Sequence, residues 1–62
     1  MQLEQLEEYI NQEIKSYPQL EADITNFWYL ACDEVASGES EYNECELAVG
    51  SIDELIKEFN EE

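Results

Sequence analysis

Apolar residues in the first part of the chain fall at Leu3, Leu6, Ile10, Ile14 and Tyr17, in steps of three and four that place them on one stripe of an α-helix. The helix should end at Pro18, because proline pushes the residue before it out of the α region. Proline is tolerated in the first turn of a following helix, and Ser16 with Gln19 has capping-box spacing. Ser16 to Pro18 therefore reads as a corner. A second stripe, Leu20, Ile24, Phe27 and Ala31, is widened on one side by Trp28, Cys32 and Val35 and predicts a helix to about Ala36. Ser37 and Gly38 stop it, glycine taking the left-handed conformation just past the last turn.

Ser40 can cap a third helix, with Glu41 and Glu44 in its first turn, where the positive end of the helix dipole favours carboxylates. Tyr42, Cys45, Val49, Ile52, Ile56 and Phe59 continue the apolar pattern. Gly50 weakens the middle of this helix, and Ser51 with Glu54 offers a fresh capping box, so a kink or split near Gly50 is expected. The structural reading of Gly50 itself is close approach of a neighbouring helix. No repeat, linker or low-complexity tract interrupts the pattern. Residues 1–62 read as one all-α domain, a compact antiparallel three-helix bundle with short connections.

Composition sharpens this. A hydrophobic fraction of 44% is too high for a solvated acidic tail, so a chain of 62 residues should fold, around one small core. No stretch approaches the ~20 apolar residues of a membrane span, and MQLEQLEEY lacks the basic and apolar regions of a secretory signal. The chain reads as cytoplasmic. Seventeen Asp and Glu against Lys15 and Lys57 give a net charge of −15, which disfavours direct contact with nucleic acid or anionic membrane.

Candidate chemistry is sparse. Histidine is absent, which removes the commonest general base and metal ligand. Paired carboxylates need a dry pocket to separate their pKa values, and so short a chain does not shield one readily. A non-enzymatic protein without cofactor or metal is the expectation. DEVASGESEYNE puts Asp33, Ser37, Gly38, Glu41 and Glu44 at positions 1, 5, 6, 9 and 12 of an EF-hand loop. Position 3 is Val35, however, and helix two runs through it, so a helix stop followed by a helix cap is the better reading. Cys32 and Cys45 are nearly equidistant from the turn at Gly38 and Glu39 and would meet in a helical hairpin; in an intracellular protein they read as core thiols. Phe27, Trp28 and Tyr29 are consecutive, so one ring must face outward, and Tyr29 is the candidate.

The charge calls for a use. Between Lys15 and Lys57 the chain carries ten carboxylates and no basic residue, whereas acidic helix faces normally interleave both signs. Solubility needs a net charge of only about 2 to 8. A helix of about nineteen residues is roughly 28 Å long, and duplex DNA of that length carries on the order of 16 charges. In size, helicity and charge the chain resembles the DNA-mimic inhibitors of phages and mobile elements, the anti-restriction and anti-CRISPR proteins. The likeness carries no residue correspondence. It implies steric and electrostatic blockade of a basic nucleic-acid-binding protein, such as a nuclease or CRISPR-type effector, in the host cell. Asp33, Glu34, Glu39, Glu41, Glu44 and Glu46 would form the negative patch, with Tyr29 or Tyr42 adding contact area. The alternative is a small interaction or regulatory module, monomeric or a homodimer seamed along Leu3, Leu6, Ile10 and Ile14. A weak calcium binder is the third reading.

Overall fold

Each apolar stripe finds a partner in the same interior. The computed structural model describes residues 1–61; Glu62, the last residue of the expected domain, lies outside the described residues. Helix α1 spans Leu3–Ser16, a 3-10 turn covers Pro18–Leu20, α2 spans Glu21–Ala36 and α3 spans Glu41–Glu61. The protein is an all-α three-helix bundle measuring 37 × 17 × 17 Å.

Three pairs fix the register of α1 against α3. The Met1 amino group lies 3.6 Å from Glu46, Tyr9 donates a hydrogen bond to Asp53, and Asn60 Nδ2 donates to the Tyr17 hydroxyl at 3.4 Å. The partners rise together in number, so α1 and α3 are parallel. Helix α2 runs the other way between them, returning the chain to the end where α1 begins.

Leu6, Ile10, Leu20, Ile24, Ala31, Cys45, Ala48 and Ile52 form the buried core, and Leu6, Ile24, Cys45 and Ile52 are its least accessible members. At one end an edge-to-face pair, Tyr17 and Phe59, closes the bundle with ring centroids 5.9 Å apart. Leu6 and Ile10, expected as part of a seam for a second copy, are taken up within one chain. No charged or polar residue is buried among those described. The core is thus purely apolar, and every described carboxylate has been left on the surface, as desolvation demands of unpaired charges.

Two corners differ in how they are made. The first departs from the expected cap: Ser16 remains inside α1, and Tyr17 ends it by donating its N–H to Glu13 O at 2.8 Å. Its φ of −131° lies in the range a residue before proline prefers, and its ψ of 67° keeps it out of the α region that proline disfavours. Leu20 N then bonds to Tyr17 O at 2.9 Å, so the 3-10 turn leads into α2 and no side-chain cap forms.

The second corner follows expectation. Gly38 has φ +102°, and it sits in a Schellman motif, with Gly38 N donating to Val35 O at 3.0 Å and Glu39 N to Glu34 O at 3.1 Å. Ser40 Oγ accepts a long hydrogen bond from Asn43 N at 3.4 Å, and Ser40 O accepts from Glu44 N at 3.0 Å, which opens α3.

Helix α3 is not split into two elements at Gly50. It is continuous from Glu41 to Glu61, because Ala48, Val49 and Ile52 on either side of the glycine pack into the core and hold the backbone helical. Packing of this kind outweighs the ~1 kcal/mol propensity cost of one glycine. The capping box expected from Ser51 and Glu54 has no helix start to serve. Nor does a neighbouring helix approach Gly50 closely: a Cβ built there meets nothing within 4 Å.

Candidate functional site

The parallel arrangement of α1 and α3 brings the α2–α3 corner and the first turn of α1 to one end of the molecule. Asp33 and Glu34 occupy the last turn of α2, Glu39 the connecting turn, and Glu41, Glu44 and Glu46 the first part of α3. Lys15 lies in the last turn of α1 and Lys57 near the finish of α3, so both lysines are at the opposite end. The one ion pair among the described residues joins the Met1 amino group to Glu46.

The corner acids share an end but not a face. Glu34 and Glu44 line a groove between α2 and α3 together with Phe27, Leu30, Ala31, Leu47, Ala48 and Ser51. Asp33 and Tyr29 are four residues apart on the outer surface of α2, where Tyr29 borders a separate depression with Glu21, Ala22, Thr25 and Asn26. Tyr42 and Glu46, also four apart, lie on the side of α3 turned towards α1. Both tyrosines are exposed, Tyr29 by 62% and Tyr42 by 58%. The six acids and Tyr42 therefore lie around the corner on different sides, whereas Tyr29, at the middle of α2, stands about two turns away from it; a further acidic row, Glu4, Glu7 and Glu8, runs along the outside of α1.

These carboxylates differ in whether the fold has a use for them. Glu41 and Glu44 stand in the first turn of α3, where the helix dipole stabilises negative charge. Asp33 and Glu34 stand at the carboxyl end of α2, where the dipole opposes them and no basic residue occupies the last turn. Structure alone does not account for Asp33 and Glu34.

Two residues that sequence reasoning missed are Leu30 and Leu47, exposed by 49% and 65%. Both border the groove that holds Glu34 and Glu44. A signal was present: Leu30 and Leu47 are equidistant from the turn in the same way as Cys32 and Cys45, and so fall at one level of the hairpin. Neither belongs to the central apolar stripe of its helix, so periodicity alone does not single them out.

Chemistry elsewhere is muted. Cys32 and Cys45 are free thiols, Cys45 fully buried and Cys32 partly so. Burial pushes both thiols up from their ordinary pKa, helped by Asp33 beside Cys32 and Glu41 near Cys45. They are poor nucleophiles in consequence. The Tyr9 phenol is likewise pushed up, first by burial and then by its hydrogen bond to Asp53. Asp33 is helical and the α2–α3 connection is only four residues long, so the EF-hand spacing has no loop to occupy. Among the described residues no group of three or more acidic, histidine or cysteine side chains is arranged to hold a metal ion. No described helix is long and apolar enough to cross a membrane.

Fold and surface together define a strongly anionic three-helix bundle whose lysine-free end is built around the α2–α3 corner. Comparison with known proteins finds no matching family model, no matching curated protein and no matching solved structure.

Proposed function

We propose that the protein is a non-enzymatic acidic inhibitor that presents phosphate-like charge to a basic nucleic-acid-binding protein, a nuclease or a CRISPR-type effector, and blocks it. One observation carries this reading. Asp33 and Glu34 are held at the wrong end of a helix dipole, beside Glu39, Glu41, Glu44 and Glu46, at the end of the bundle that has neither lysine. Charge that opposes folding is retained in a chain with little stability to spare, which favours a role in binding. Tyr42 at the corner and Tyr29 further along α2 offer exposed amphipathic rings, the residue type enriched at protein interfaces.

Charge density supports the reading in moderated form. Duplex DNA as long as the 37 Å bundle carries roughly 22 charges, against the protein's net −15. The whole molecule is therefore about two-thirds as charged per unit length as the duplex, a lower match than one helix length implies.

Such association is fast and salt-sensitive, because it depends on long-range attraction and counterion release. The test is capture from a host lysate at low and high salt, followed by competition with duplex DNA. Binding to a basic nucleic-acid enzyme that weakens with salt and is displaced by DNA is expected. Capture that DNA leaves untouched would exclude charge mimicry and favour the interaction-module reading.

A further inference from the structure

We infer that the groove between α2 and α3 is a docking site for a cationic amphipathic helix of a partner protein. Leu30 and Leu47 stand on its two walls at the same level, exposed by 49% and 65%, over a floor made by the buried residues Ala31 and Ala48. Two alanines at the floor leave a furrow where larger side chains would have filled the space between the helices. Glu34 and Glu44 stand at the corner end of the furrow, one on each wall.

The charge selects the occupant. Neither glutamate is in an ion pair among the described residues, and the Met1 amino group, the cation at this end, is engaged by Glu46 on another side of α3. A second copy of the chain would bring another −15 and its own Glu34 and Glu44 against these, and like charges across an interface are costly. Anionic lipid headgroups and nucleic acid carry the wrong sign. A helix with leucine-like anchors and flanking lysine or arginine satisfies both features. The furrow runs from Glu34 and Glu44 to Phe27 and Ser51, seven residues along each helix, or about 10 Å at 1.5 Å per residue. That length suits two turns of a docked helix, with anchors at i, i+3 or i+4, and i+7.

The inference goes beyond charge mimicry and stands without it, since it needs an apolar seat and no nucleic-acid site. Its test uses a fluorescent synthetic peptide carrying leucines at i, i+3, i+4 and i+7 and lysines elsewhere, beside a scrambled peptide of the same composition. Anisotropy titrations are run at physiological salt with no nucleic acid present. The patterned peptide should bind at least about tenfold more tightly than the scrambled one, as burial of one or two leucines implies. The double variant L30Q/L47Q, whose helicity circular dichroism verifies, should lose that difference. Equal binding of the two peptides, no binding of the patterned one, or an unchanged preference in L30Q/L47Q overturns the inference. So does a sedimentation result in which wild type is a dimer and L30Q/L47Q a monomer, which would give the groove to a second copy. DNA competition bears on the charge reading alone, so either proposal can fail while the other stands.

Discussion

Gly38 and Gly50 show how differently one residue type acts in two settings. A Cβ meets nothing within 4 Å at either position, so space does not distinguish them. Backbone conformation does: Gly38 has φ +102° and Gly50 is helical. Gly38→Ala should destabilise the protein by about 1–2 kcal/mol, since a side chain strains the left-handed region. Gly50→Ala should stabilise it by about 0.5–1 kcal/mol through helix propensity. Urea denaturation followed by circular dichroism reads both, and a loss on Gly50→Ala would contradict the open surroundings of that glycine. Gly38 was legible in the sequence because Ser37 and Gly38 directly follow the last turn of an apolar stripe. The continuity of α3 through Gly50 was not, because local propensity says nothing of Ala48, Val49 and Ile52 anchoring the helix on both sides.

At the scale of the helix, charge and dipole are set against each other in α2. Its first turn carries Glu21 and Asp23, which the dipole favours, while Asp33 and Glu34 near its close are disfavoured. The variant D33K/E34K should therefore raise stability by a few tenths of a kcal/mol per site, as the dipole rule implies. It should also reduce capture of the basic partner. Thermal denaturation and the lysate assay separate the two effects; a variant that is less stable and captures as well as wild type would show these acids to be structural. Helix limits were largely readable, since a stripe, a stop signal and a cap coincide at Ala36, Gly38 and Ser40. The Ser16 corner was not, because both a cap and a 3-10 turn suit the residues around Pro18, and tertiary packing decides between them. The groove was equally hidden: it arises only when Leu30 and Leu47 are brought level by the hairpin.

For the molecule as a whole, the decisive quantity is self-repulsion. A net charge of −15 spread over 37 × 17 × 17 Å, relieved by a lone ion pair among the described residues, works against the folded state. Salt screens it, with a Debye length falling from about 30 Å at 0.01 M to 3 Å at 1 M. Raising sodium chloride from 10 mM to 0.5 M should add about 1 kcal/mol of stability, a rise of roughly 5 °C in Tm for a domain this small. The same change weakens an electrostatic complex, so the fold and the interaction respond to salt in opposite directions. A Tm that is flat or falls with salt would mean the acids are far enough apart to ignore one another. Total charge was plain from the sequence, and an antiparallel three-helix bundle already puts both lysines at one end; the faces that the acids take were not, since they depend on how each helix is rotated against the core.

The parallel register of α1 and α3 has a practical side. Met1 touches Glu46 and therefore opens onto the anionic corner, while α3 finishes a bundle length away. A purification handle fused ahead of Met1, polyhistidine above all, would lie across the surface through which the protein is expected to act, whereas one attached behind α3 would leave it clear.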